Sequence, residues 1–401
     1  MEYRRSGVVN PTFNGQNQKS QEALKMKKIL LLALIIGLSG CAQKKQPIKI
    51  GCLFALSGPA GHIGLPSKWV AQMAAERINK EGGINGRPVE LIIADTQGKP
   101  SQAVVALKRL IEKDKVVAVI GPTRTGTCMA SLETIEKAGI PMIACVGGTP
   151  PVVPVRKWVF KSPQKTVTAV EKVYEYLQSK GIEKIAIITA SDKFGQEGKE
   201  SLTRLAANYG LAIVAEETFE PADVDMTVQL TKLKGTDAEA LICWTIGPAG
   251  AIVAKNAKQL KIGIPLIMCH GLADPNFLEL AGEAAEGVIM PSTKLMVASQ
   301  LPDTDPQKKL LLDFINEYEN VHKYGKVSTH SGYAWDAIYI LTSALRKAGT
   351  DPEKLRSAIE STRNYVGISG IYNLSPSDHC GLDASSLVMI KVAGGQWRLI
   401  E

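Results

Sequence analysis

Three hydroxyl side chains at alternate positions, Thr123, Thr125 and Thr127, follow the apolar run Val116 to Ile120 and precede a helical stripe of Met129, Leu132 and Ile135. A helix starting there presents free backbone N–H groups and the positive end of its dipole, which together favour an anion. Capping alone needs one hydroxyl. Three of them, in a loop leaving the carboxyl end of a strand, point to anion binding. Signatures of catalysis are missing. Gly121 to Thr127 approaches a phosphate-binding loop, yet Thr127 stands where the lysine must be. Gly58, Gly61 and Gly64 lack the dinucleotide spacing, and GxSxG, HExxH and SxxK do not occur. The five histidines, at 62, 270, 322, 330 and 379, nominate neither a triad nor a metal site. The expectation is a binding protein, not an enzyme, with no cofactor and no metal. Arg124 reads as a solvated rim charge.

A second chemical signal lies near the start. Met26 to Cys41 (MKKILLLALIIGLSGC) joins a two-lysine head, an apolar run from Ile29 to Ile36, and Leu38-Ser39-Gly40-Cys41. The run is shorter than the ~20 residues that a stable membrane span needs, so it reads as an export signal. The tetrapeptide resembles the bacterial lipobox, which implies cleavage before Cys41 and a lipid on that cysteine. Residues 1 to 25 are polar and patternless, consistent with initiation at Met26. The net charge of +8 is divided about evenly between the stretch before Cys41 and the rest. A small excess spread over the remaining chain is no footprint for nucleic acid. The six cysteines after Cys41 form no CxxC pair; Cys52, Cys145, Cys243 and Cys269 sit in apolar runs and read as small hydrophobes.

The elements that position the threonine loop are legible as an alternation of short apolar runs with helix-period segments. The runs are Ile48 to Leu56, Val89 to Ala94, Val116 to Ile120, Ile140 to Val146, Ile185 to Thr189, Ala240 to Trp244 and Ile264 to Met268. They are continuously apolar, as strands covered on both faces are. Trp69, Val70, Met73, Ala74 and Ile78 form an amphipathic helical stripe. Gly147 to Pro163 and Pro291 to Pro306 are proline-rich and read as crossings between lobes, with a third near Gly349 to Pro352. Leu310 to Tyr318 and Tyr333 to Leu345 read as helices, and Ser386 to Val392 with Trp397 to Ile400 as a hairpin turning at Gly394-Gly395. The expected fold is α/β, two doubly wound parallel-sheet lobes joined by three crossings, with a cleft at the carboxyl ends of the strands. The expected boundaries are a leader over 1–40, a first lobe over 41–160 with 292–350, and a second over 161–291 with 351–401.

Leu56-Ser57-Gly58-Pro59, Ile78-Asn79 with Gly82-Gly83-Ile84-Asn85-Gly86, Val119-Ile120-Gly121-Pro122, Phe194-Gly195 with Glu197-Gly198, and Ala284-Ala285-Glu286-Gly287 occur in that order. With these motifs the chain resembles the periplasmic substrate-binding proteins of branched-chain amino acid ABC transporters, the leucine-binding type, from Ile48 to Ile400. The resemblance implies two lobes that close on a small ligand and pass it to a membrane permease driven by cytoplasmic ATPases. It implies a type I periplasmic binding protein fold, an extracytoplasmic location and, with Cys41, a lipid tether. It places the ligand carboxylate at Thr125, with Thr127 beside it. It places a second contact at Val146, Gly147 and Gly148, where the family's hydroxyl is missing and only backbone groups remain. The second-lobe aromatic maps to Phe194 and the opening-loop aromatic to Ile63. The glutamate that holds a ligand ammonium maps to His270. Trp244, at the end of an apolar strand, fits core and pocket wall alike.

The loss of that glutamate has energetic weight, because an unpartnered buried ammonium costs on the order of 3 to 5 kcal/mol. Micromolar affinity amounts to about 8 kcal/mol in total. The expected ligand is therefore a small carboxylate with an aromatic or branched aliphatic body, a branched-chain amino acid remaining an alternative if Asp274 or Glu197 replaces the missing carboxylate. A ligand-sensing module of the same fold is the alternative role.

Overall fold

The computed structural model describes residues 1–7, 24–26 and 45–400. The chain divides into two units, Met1–Lys45 and Gln46–Glu401. In the first, residues 24–26 are helical; the apolar run Ile29 to Ile36 and Cys41 lie outside the described residues. Among the described residues no helix is long and apolar enough to cross a membrane.

The second unit contains two sheets, each with its own core. The first sheet consists of β1 (Ile48–Phe54), β2 (Val89–Asp95), β3 (Ala118–Ile120), β4 (Met142–Ala144) and β5 (Val159–Lys161), in the order β2-β1-β3-β4-β5. Every pairing in it is parallel, with Cys52 opposite both Ile93 and Ile120. Ile50, Cys52, Leu53 and Phe54 are fully buried, which explains why the run carries no alternation. The helix Gly61–Lys80 covers this sheet with Val70, Met73, Ala74 and Ile78, while Trp69 stacks on Tyr324 with ring centres 5.4 Å apart.

The second sheet contains β6 (Lys184–Ala190), β7 (Ala212–Phe219), β8 (Ala240–Trp244), β9 (Leu266–Met268), β10 (Ile289–Thr293), β13 (Leu387–Ala393) and β14 (Gln396–Leu399), ordered β14-β13-β10-β9-β8-β6-β7. Its parallel centre is extended by two antiparallel strands from the chain's end, turning at Gly394 and Gly395. A small hairpin joins β11 (Tyr365–Val366) to β12 (Ile371–Tyr372).

The sequence reading missed β5, β7 and β10. β7 is an edge strand in which the apolar stretch Ala212 to Ala215 gives way to Glu216 and Glu217, so its second half lacks the apolar run of a covered strand. β10 runs through Pro291 inside the expected crossing. It pairs with β9 only at Ile289↔Ile267, so the proline lies beyond that ladder and breaks none of its bonds. The stretch Leu310 to Tyr318 is divided between the helix Lys308–Ile315 and a π-helical turn, Asn316–Val321.

The lobe boundary near the end also differs. Leu355, Ile359, Ile368, Tyr372, Leu374, Cys380 and Leu382 pack into the first core, where 351–401 was assigned to the second. Only Leu387, Met389, Ile390, Val392 and Trp397 join the second core. The third crossing therefore falls at 383–386 and not at Gly349 to Pro352. The physical reason is that the helix Pro352–Glu360 buries its apolar stripe against the preceding helix Thr329–Ala348 of the first lobe. All six described cysteines are free and buried, and burial pushes the Cys145 thiol up to about 12.

Near the hinge the carboxylate of Asp336, fully buried, accepts from the backbone N–H groups of Ile368 and Ser369 at 2.7 Å each and from the Tyr372 hydroxyl at 3.0 Å. Removing it strands two buried backbone donors, while the Tyr372 hydroxyl keeps the Ser162 carbonyl as acceptor at 2.6 Å. Asp336→Ala is expected to lower the unfolding free energy by ~3–5 kcal/mol in a urea titration, and Asp336→Asn, which keeps one acceptor oxygen, by less.

Candidate functional site

The carboxyl ends of both sheets face one another across a cavity of about 240 Å³. From the first lobe come Gly98 after β2, the loop and helix start Thr123 to Thr127 after β3, and Cys145 and Gly147 after β4. The second lobe contributes Asp192 to Phe194 after β6, Ile246 after β8, and His270 and Gly271 after β9. His330 and Tyr333, from the helix Thr329–Ala348, close one side.

The three threonine hydroxyls have different fates. Thr123 Oγ1 accepts from the Ala55 N–H at 3.1 Å, and Thr127 Oγ1 donates to the Arg124 carbonyl at 2.7 Å. The hydroxyl of Thr125, a residue 5 % exposed that lines the cavity, makes no hydrogen bond among the described residues. It is the first residue of the helix Thr125–Ala138, whose first intrahelical bond joins Cys128 N–H to the Arg124 carbonyl. The N–H groups of Thr125, Gly126 and Thr127 therefore have no helical acceptor.

Of the residues singled out from sequence, Thr125, Thr127, Gly147, Phe194 and His270 line the cavity. Gly148 lies behind Thr125: a Cβ there would come within 2.5 Å of Thr125 Cγ2, and one on Gly147 within 2.8 Å of His270 Nε2. Val146 is buried in the first core. Trp244 is fully buried behind the wall, its ring centre 6.1 Å from Phe194 and 5.8 Å from His270. Ile63 does not line the cavity; it packs with Ala55 and Ala60, and Ile246 of the opposite lobe rests on this cluster. The reason is that Ile63 belongs to the helix Gly61–Lys80 and faces inward from it.

Contacts cross the cleft at several points. Arg124 Nη2 donates to Asp192 Oδ2 at 2.7 Å, so Arg124 is no rim charge in solvent. The Thr149 N–H donates to Glu197 Oε1 at 3.3 Å, and His330 Nε2 stands 3.9 Å from Asp274 Oδ2. Asp274 caps the helix Pro275–Ala281 through the Asn276 N–H at 2.8 Å. Neither Asp274 nor Glu197, the two carboxylates considered as ammonium partners, lines the cavity. Asp192 does, with Oδ1 accepting from the Gly195 N–H and Oδ2 from Arg124.

Beneath the Gly147-Gly148 loop lies Lys161, which is 1 % exposed. Its ammonium donates to the carbonyls of Gly147 and Gly148 at 2.8 Å each and of Gln164 at 2.9 Å. Burial pushes its pKa down to about 8. Burial, and secondarily Lys161, pushes His270 down to about 3, so its imidazole is neutral. His330 is likewise held at about 3 by burial and by His62 and His270 beside it, while burial raises Asp274 to about 6.

Sequence reasoning missed Asp192, Ile246, His330 and Tyr333 and dismissed Arg124. A signal existed for two of them. Asp192 precedes a helix at a capping position, and His330 sits in the hydroxyl-rich helix start Ser328-Thr329-His330-Ser331. Nothing local marks Ile246 or Tyr333, which reach the cavity through the fold alone.

The family model described as periplasmic binding protein matches residues 47–396. The chain belongs to the periplasmic binding protein family. Among its relatives is the Leu/Ile/Val-binding protein BraC3 of Rhizobium johnstonii, 24 % identical over 83 % of this chain and 89 % of that protein. An extracellular ligand-binding receptor from Rhodopseudomonas palustris HaA2 superposes with a TM-score of 0.82 at 23 % identity, covering 88 % of this chain and 99 % of the other. A solute-binding protein of an ABC transporter from R. palustris, solved in complex with benzoate, does so at 0.75 and 18 %, over 88 % and 95 %. The two-lobed α/β architecture is thus that of type I periplasmic binding proteins. Members of this family are substrate-binding proteins, and the family places the chain outside the cytoplasm.

The buried imidazoles make the periplasmic binding protein sensitive to acid. With His270 at about 3 when folded and an ordinary value of 6.5 when unfolded, only the unfolded chain takes the proton between those values, so stability falls as pH falls. His270→Gln removes that titration. Between pH 7 and pH 5 the wild type is expected to lose about 2 kcal/mol more unfolding free energy than His270→Gln in urea titrations.

Proposed function

We propose that this periplasmic binding protein is the solute receptor of an ABC importer. It closes its lobes on a small carboxylate with an aromatic or branched aliphatic body, without a cationic group. The observation that carries the reading is the unpartnered Thr125 hydroxyl beside three free N–H groups, opposite a neutral His270. A carboxylate satisfies those donors. Phe194, Ile246 and Tyr333 supply apolar walls for its body. An ammonium finds no uncommitted carboxylate in the lining, since both Asp192 oxygens already accept hydrogen bonds and Arg124 neutralises its charge. Its relatives include a Leu/Ile/Val-binding protein and a solute-binding protein solved in complex with benzoate, so the pocket groups must decide between them.

The partners are a membrane permease and its cytoplasmic ATPases, and the tether is a lipid on Cys41 in a bacterial periplasm. The motif Leu38-Ser39-Gly40-Cys41 after an apolar run supports the tether. In cells, incorporation of labelled palmitate is expected with the native sequence and none with Cys41→Ser.

Thermal-shift titration with benzoate, isovalerate, leucine and valine tests the ligand class. Stabilisation by the first two is expected, and stabilisation by the amino acids alone removes the reading of His270. In calorimetry, Thr125→Ala is expected to weaken the carboxylate that binds by ~1 to 3 kcal/mol, the value of a hydrogen bond to a charged group.

A further inference from the structure

Arg124 enters the cavity beside Thr125, and of its guanidinium nitrogens only Nη2 is engaged among the described residues. The head is held in place from two directions. Its stem lies over Gly98, where a Cβ would come within 3.5 Å of Arg124 Cδ and 3.8 Å of Nη1, and Asp192 draws Nη2 from the opposite lobe at 2.7 Å. Arg124 and Asp192 are each only about a quarter exposed, so the pair is screened less than a surface pair. Immediately next to it are the unpartnered hydroxyl of Thr125, a residue 5 % exposed, and open space in front of Gly126. Guanidinium, hydroxyl and free helix N–H groups thus converge on one volume. A planar guanidinium edge and a carboxylate match in shape and charge.

We propose that Arg124 is a specificity determinant whose unused guanidinium edge takes the ligand carboxylate together with Thr125, selecting a full negative charge over a neutral isostere. Asp192 acts as a positioning residue that holds the guanidinium from the second lobe. The proposal rests on the reading of the cavity as a carboxylate site. A pure interlobe latch is the competing role of the same ion pair, and the two roles differ in sign. A latch loses the same bond when either partner is neutralised. With a clamp, neutralising Arg124 removes the donor, whereas neutralising Asp192 leaves the guanidinium charge uncompensated for the anion.

The test is calorimetric titration of wild type, Arg124→Gln, Arg124→Lys and Asp192→Asn with sodium benzoate, isovalerate, leucine and the neutral benzamide, after thermal melts confirm that each variant folds. For whichever carboxylate binds wild type, Arg124→Gln is expected to weaken it at least tenfold and Arg124→Lys to recover part of the loss. Asp192→Asn is expected to bind it at least as tightly as wild type, and benzamide not to distinguish wild type from Arg124→Gln. Equal weakening by Arg124→Gln and Asp192→Asn, or no change in Arg124→Gln, overturns the clamp and leaves the carboxylate reading standing. Binding of leucine alone, weakened by Arg124→Gln, supports the clamp and removes the reading of the ligand body. If benzamide binds wild type and no carboxylate does, the carboxylate reading fails and the clamp with it; the same holds if none of the four binds.

Discussion

A single buried ammonium in this periplasmic binding protein ties the cavity-facing loop to the crossing between the lobes. Lys161 is the last residue of β5, where the chain leaves the first lobe, and its three carbonyl partners lie in the ligand-facing loop and in the crossing itself. A charge so deeply buried is tolerated only when its donors are satisfied. Gly147, Gly148 and Gln164 therefore hold their places relative to one another. Through the Gly148 carbonyl the ammonium also fixes the backbone on which Thr125 leans, and its charge adds to the burial that keeps His270 neutral.

Around that anchor the cleft combines two kinds of contact. Apolar surfaces meet at Ile63 and Ile246 and at Gly147 and Phe194, and they set the distance between the lobes. Polar groups cross at Arg124 with Asp192 and at Thr149 with Glu197, and they set the register. The cavity between them carries hydrogen-bond donors on the first lobe and, on the second, the rings of Phe194 and His270 beside Asp192, whose charge Arg124 balances. The proposal of an anion with an apolar body rests on that arrangement.

Much of this was legible from residue pattern because parallel, doubly covered strands write themselves as apolar runs. Ile48 to Leu56 and Ala240 to Trp244 became strands within a few residues of their expected ends. The threonine loop also fell where a strand's carboxyl end meets a helix start. What stayed hidden had no local signature. β7 carries its polarity on an edge, β10 contains a proline that only the sheet order makes harmless, and the helix Pro352–Glu360 stays with the helix before it where its Gly349 to Pro352 connection reads as a crossing. The same holds for the site. Arg124 looked like any surface arginine until its partner, 68 positions further along the chain, faced it. Lys161 sat unnoticed in a proline-rich crossing because sequence does not record carbonyls converging from two loops.

The interleaving of the lobes has a consequence for biogenesis. The first core waits for segments as late as Cys380 and Leu382, and the second sheet waits for the terminal hairpin of β13 and β14. Neither half can complete its hydrophobic interior until nearly the whole polypeptide has emerged. A chain built this way stays partly open through most of its synthesis, and its two interiors close together near the end.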